Sequence, residues 1–163
     1  MKRIIIHWTA GKHEPNSTDY EHYHFLINGN GLCINGKYKP EDNLDCSDGK
    51  YAAHTGGGNT GSIGIAACGM LGYINPRRIG AYPLTARQTE ALFKKVAELC
   101  KKYELEITPD TVMTHYEFGQ KYPKTSSYGK IDITYLPSYP NVNIGSIGNF
   151  IRNKISWYYK RLP

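Results

Sequence analysis

Imidazoles and carboxylates near the ends of predicted strands are the groups in this sequence best placed for chemistry. His7, His54 and His115 each end or follow a strand-like run, and His24 begins one. Strand ends on one rim of a sheet converge in space. His7 and His115, far apart in sequence and each followed by a polar loop, can therefore supply two imidazoles to one point. Two neutral imidazoles and a carboxylate suit a catalytic Zn2+, which keeps three protein ligands and one position open to water. The carboxylate candidate is Asp132 in GKIDITYLP, residues 129–137, where Lys130 stands two positions earlier. In an extended chain residues i and i+2 project to the same side, so ammonium and carboxylate would face one common space. Taken alone, the same pair also fits a solvated ion pair of little energetic weight, and each histidine fits a structural role.

Other readings of these residues lack their second half. The chain contains no H-E-x-x-H, so the helix-borne metalloprotease arrangement is absent. His115 and Glu117 form an H-x-E, but the P-C-x-x-C half of a zinc deaminase is missing. The loop HTGGGNTGS, residues 54–62, lacks the lysine with which a P-loop grips phosphate. It reads as a flexible groove wall.

The elements that must position these groups follow from periodicity. Residues 2–8 are isoleucine-rich and read as a buried strand ending at the histidine. YHFLINGNGLCINGKY reads as a hairpin, with strands over 23–27 and 32–35 and a turn at 28–31, where Asn and Gly tolerate positive φ. A polar connection over 37–50 precedes residues 51–54, and 62–70, small and apolar, reads as a central strand. Residues 84–105 form the clearest helix: Thr85 and Gln88 fit a capping box, and Leu92, Val96, Leu99, Cys100 and Tyr103 share one face. A short strand over 112–115 and a polar loop over 117–129 lead to the GKID segment. The tail, 144–162, places Ile147, Ile151, Ile155, Tyr158 and Leu162 at helical spacing, with Arg152, Lys154, Lys160 and Arg161 mostly elsewhere on the wheel. The pattern predicts an α/β (α+β) fold in which a mixed central β-sheet is flanked by helices.

The bulk numbers bound the function. At 163 residues the chain is about one domain long, and 40% hydrophobic with 21% charged residues is ordinary for a folded protein. A net charge of +6 points to an anionic partner. The basic residues are scattered except at the C-terminus, and no nucleic-acid module is present, so nucleic acid is not expected as the main partner. Cys33, Cys46, Cys68 and Cys100 are spaced too widely for a C-x-x-C motif and read as reduced thiols; a Cys33–Cys46 disulfide stays open. The apolar run at the start stops at His7, too short for a signal-peptide core. The expectation is a cytoplasmic protein that reaches the outside, if at all, by another route.

Six segments carry a family resemblance: IIIHWTAG (4–11), YHFLINGNG (23–31), AAHTGGGNTGSIGIAACG (52–69), LTARQTEAL (84–92), VMTHYEF (112–118) and GKID (129–132). In this order they resemble the zinc-dependent N-acetylmuramoyl-L-alanine amidases of the amidase-2 family, which include phage endolysins and share the fold of peptidoglycan recognition proteins. The resemblance spans residues 2–137 and implies one catalytic domain over 1–163, with a basic amphipathic helix at 144–162. It implies that His7, His115 and Asp132 hold Zn2+, that Tyr23 lies beside the metal's water, and that Lys130 shares the oxyanion charge. It implies that His54, with Thr55 and Asn59 of the same loop, lines the substrate groove. The chain departs from the family in a longer gap before Asp132, which makes Glu117 the fallback ligand. It departs also in a short 8–20 connection, where a helix of many relatives is expected to be reduced or missing.

The implied reaction is hydrolysis of the amide joining N-acetylmuramic acid to L-alanine in peptidoglycan, by a monomeric phage or prophage endolysin held in the host cytoplasm until lysis. A non-catalytic peptidoglycan-recognition module and an intracellular wall-recycling amidase are the alternatives. The C-terminal helix is expected to pack its apolar face on the sheet. The alternative is contact with anionic outer membrane or lipopolysaccharide through Trp157, Tyr158 and Tyr159.

Overall fold

The isoleucine run at the N-terminus is buried on both sides, as a strand at the centre of a parallel sheet must be. In the computed structural model, which describes residues 1–163, β1 (Arg3–Trp8) lies between β4 (Ser62–Ala67) and β5 (Val112–Thr114), parallel to both. β2 (Phe25–Ile27) adds to the far side of β4 in parallel, and β3 (Cys33–Asn35) closes the edge antiparallel to β2. The order β3-β2-β4-β1-β5 is a mixed sheet, and with its helices it makes the expected α+β fold.

The period of two then sorts residues onto two faces. Ile4, Ile6 and Trp8 of β1 and Ile63, Ile65 and Ala67 of β4 join one large core. Two helices cover that face: α2, Ala86–Lys102, and α4, Ile147–Tyr159. Leu92, Phe93, Val96 and Leu99 of α2 and Ile147, Ile151 and Ile155 of α4 belong to the same core. Thr85 and Gln88 form the capping box expected of α2. Gln88 also donates from Nε2 to the carbonyls of Ile27 and Cys68, which bolts the helix start to two strands. The apolar face of α4 is core, as its spacing predicts.

The opposite face carries the alternate residues. Ile5, Met113 and Phe118 make one small cluster there and Leu26, Ala66 and Cys68 another. His7, one alternation on from Ile5, emerges between them.

Several boundaries differ from those read in the sequence. The strand over 112–115 stops at Thr114, and His115 opens α3, His115–Lys121, so the first part of the supposed loop over 117–129 is helix. The reason is a second capping box: Thr114 Oγ1 accepts from Glu117 N, and Glu117 accepts from Thr114 N. The helix looked for in the 8–20 connection survives as one short element, α1, Ser17–His22, started by an Asn16–Asp19 capping box. All four cysteines are free thiols, Cys68 and Cys100 buried. No helix is long and apolar enough to cross a membrane.

Candidate metal centre

Three donors meet where β1, the start of α3 and the segment after Gly129 converge. His7 Nδ1 lies 2.8 Å from Asp132 Oδ2, His115 Nδ1 lies 3.1 Å from the same oxygen, and the two Nδ1 atoms are 3.1 Å apart. Atoms held about 2.0–2.1 Å from a tetrahedral Zn2+ stand about 3.3 Å from one another, so this triangle fits the ion. The chemistry fits too, because two lone-pair nitrogens and a carboxylate oxygen aimed at one point need a cation among them. All three residues are buried.

Asp132 and His115 are fixed from behind. The backbone N–H of Tyr116 donates to the Asp132 carbonyl at 2.8 Å, tying the third donor to the helix that carries the second. Ser127 Oγ donates to the Gly56 carbonyl at 2.8 Å, so its lone pair accepts from His115 Nε2–H at 3.0 Å. That bond puts the single proton of a neutral His115 on Nε2 and leaves Nδ1 bare. Burial lowers the His7 pKa from 6.5 to about 4 against the opposing pull of the adjacent Asp132 carboxylate, so His7 is neutral at pH 7. Burial would raise Asp132, but the His115 and His7 rings set against its Oδ2 outweigh it and hold the carboxyl well below the usual range. A neutral His7 and an ionised Asp132 are the forms that bind metal.

Two of the donors, His115 and Asp132, line a cavity of about 610 Å³, and His7 is fully buried beside them. Trp8, Met70 and Tyr73 form apolar wall, and Tyr23, Lys130 and the Asp132 segment the polar wall. Tyr23 sits with its ring centroid 5.2 Å from that of His7. Burial, and then the Asp132 charge, push its phenol far above 10, so it is a neutral donor. Lys130 is exposed. Lys130 and Ile131 belong to no strand and Asp132 opens a turn, and Lys130 and Asp132 both border the cavity.

The other expected site residues are placed differently from one another. His54 borders the cavity but is only 7% exposed, its ring lying on Gly64 of β4, where a Cβ would run into it. Burial, then the neighbouring His7 and His24, hold its pKa well below 6.5. The structure does not bring Thr55 or Asn59 to the cavity wall: Thr55 is fully buried, and Asn59 Oδ1 accepts from the backbone N–H groups of His54 and Thr55. Glu117, the fallback ligand, faces away from the histidines into a two-bond ion pair with Arg152. The glycine-rich loop is no flexible wall, since Gly57 and Gly58 pack so closely on Thr125 and Phe118 that neither has room for a side chain.

Sequence reading missed the residues that support the centre. Ser127 lay inside the supposed loop with nothing to mark it. Asn43 is fully buried, bonding His24 Nε2 at 2.9 Å and the backbone of Ala52, and so fixes the segment leading to His54.

Residues 1–130 match the family model for amidase-2, N-acetylmuramoyl-L-alanine amidase. The chain belongs to this family. Among solved structures it is similar to the N-acetylmuramoyl-L-alanine amidase LysC from Clostridium intestinale URNW, at 18% identity and a TM-score of 0.48 over 70% of this chain and 69% of that one. It is similar also to the Ph2119 endolysin from the Thermus scotoductus MAT2119 bacteriophage Ph2119, at 19% identity and a TM-score of 0.46 over 70% of each chain. Drosophila peptidoglycan recognition protein SD gives 19% identity and a TM-score of 0.48 over 77% of this chain and 74% of that one. No curated protein sequence matches the chain. The family match ends two residues short of Asp132, so that donor rests on the geometry alone.

Proposed function

We propose that the chain is a zinc-dependent N-acetylmuramoyl-L-alanine amidase, cleaving peptidoglycan between the lactyl group of N-acetylmuramic acid and L-alanine. The observation that carries this reading is the convergence of His7, His115 and Asp132 on one point beside a cavity that His115, Asp132, Lys130 and Tyr23 line. Zn2+ held by those three residues supplies Lewis acidity and a water acidified to near neutral pH. The residues of the chain do the rest. Trp8, Met70 and Tyr73 give an apolar bed on which the stem peptide or lactyl group can lie. Lys130 brings a positive charge to the place where the amide oxygen becomes negative, a role commonly worth a few kcal/mol. Tyr23 keeps its proton near neutral pH, so it orients the attacking water or the substrate by donating and does not act as the base.

A non-catalytic recognition module would have lost a donor, and here all three are present. The net charge of +6 suits an anionic wall polymer, and the role that goes with this reading is that of an endolysin, a monomeric catalytic domain kept in the host cytoplasm until lysis. On the outer side of α4, Trp157 and Tyr159 stay exposed beside Lys160 and Arg161, which suits contact with anionic lipid or lipopolysaccharide. Mass spectrometry of purified peptidoglycan digested with the Zn2+-loaded protein tests the reaction. The expected products are glycan free of peptide and stem peptides with a free L-alanine amine. Intact muropeptides, or glycan cut within the sugar chain, would refute it.

A further inference from the structure

The hydrogen bonds of His54, followed atom by atom, give this buried residue a task at the metal centre. Its Nε2 lies 3.4 Å from the Ser62 carbonyl oxygen, which can only accept, so Nε2 carries the proton and Nδ1 the lone pair. That bare Nδ1 lies 2.7 Å from Thr55 Oγ1 and 3.2 Å from His7 Nε2. The one hydroxyl proton of Thr55 takes the shorter contact, to His54, which leaves an Oγ1 lone pair 3.4 Å from the same His7 nitrogen. Neither atom facing His7 Nε2 has hydrogen to offer it, since His54 Nδ1 is bare, with its one lone pair taken by Thr55, and the Thr55 hydrogen points to His54; His7 Nε2 therefore carries hydrogen, aimed at the Oγ1 lone pair that His54 has oriented. In a neutral imidazole this leaves Nδ1 bare, and Nδ1 is the atom aimed at Asp132 and His115.

We propose that His54, backed by Thr55, is a positioning residue that fixes the tautomer and ring orientation of His7 for metal ligation, and is not a contact for substrate. It does for His7 what Ser127 does for His115. The elements around it are arranged to the same end. Gly64 leaves room for the ring on the sheet, and Asn59 folds the loop so that His54 and Thr55 face His7 together. The proposal rests on the reading of His7 as a ligand.

The test is Zn2+ affinity, measured by competition with a chromophoric chelator, for the wild-type protein, His54→Leu and His54→Asn. His54→Leu keeps bulk and loses the acceptor, and should bind Zn2+ about 10–100-fold more weakly. His54→Asn restores an oxygen near the place of Nδ1 and should recover most of that loss, a recovery that simple packing would not produce. Long-range 1H–15N correlation on the Zn2+-loaded wild-type protein needs no variant, and should show hydrogen on Nε2 of both His54 and His7. No uptake of Zn2+ by the wild-type protein would overturn the ligand reading and this inference with it. Tight wild-type binding that His54→Leu retains, or hydrogen on Nδ1 of His54, would overturn the inference alone.

Discussion

Glu117 and Arg152 meet through two parallel hydrogen bonds, Nη1 to Oε2 at 3.0 Å and Nη2 to Oε1 at 2.9 Å, joining the helix that begins with His115 to the C-terminal helix. Arg152 Nη1 also donates to the Val112 carbonyl at 3.0 Å, so one buried guanidinium ties α4 to both β5 and α3. Forked pairing of this kind is strong and directional. The C-terminal helix is thereby part of the support for His115, although it lies behind the sheet.

Arg152→Met should accordingly cost about 3 kcal/mol of stability, because the mutation leaves the Glu117 carboxylate mostly buried without its partner. Urea denaturation of the metal-free protein measures this. An unchanged midpoint would mean that the pair holds nothing in place.

Asp132 and Lys130, two positions apart, should separate cleanly in function. Asp132→Ala removes a donor and should abolish Zn2+ binding and amide hydrolysis together. Lys130→Ala should leave Zn2+ stoichiometry at the wild-type level and lower kcat by about 10²–10³-fold, the usual loss when one oxyanion partner is removed. Stoichiometric Zn2+ in purified Asp132→Ala would show that the third donor lies elsewhere.

Gly64→Ala places a methyl group where the His54 ring now rests on β4. Overpacking commonly costs about 1–3 kcal/mol, and the ring must shift from its present place against His7. The expected result is a folded protein with weakened Zn2+ affinity, read by thermal melting alongside chelator competition. Wild-type values in both would place the ring elsewhere in solution.

The metal-free protein should lose stability in mild acid. The His7 pKa falls from 6.5 to about 4 on folding, so between those values the unfolded chain binds the extra proton. The stability contributed by neutral His7 is complete above about pH 6.5 and drains away as pH falls towards 4. His24 and His54, both also lowered by burial, add to the same slope. Denaturation midpoints across pH 4 to 8 check the sign: a flat profile would contradict the burial of neutral imidazoles.

Local pattern was enough for much of this protein. The isoleucine run, the Asn-Gly turn and the Thr85–Gln88 capping box act within a few residues, so β1, the β2–β3 hairpin and α2 stand close to where periodicity places them. The start of α3 is local too, since Thr114 and Glu117 have capping-box spacing, and that box ends β5 one residue before His115. The family match covers residues 1–130, and His7 and His115 lie inside it.

What only the tertiary structure decided is which side chains meet. Asp132 lies beyond the family match and in a turn, and nothing local distinguishes it from the carboxylate of Glu117, which the fold turns towards Arg152. The partners Ser127, Asn43 and Gly64 are ordinary residues whose tasks arise from contacts across long stretches of chain. Periodicity records which face of an element is buried, because burial repeats along the chain. It does not record which imidazole nitrogen finds an acceptor, since that depends on single contacts made once, between segments the sequence keeps far apart.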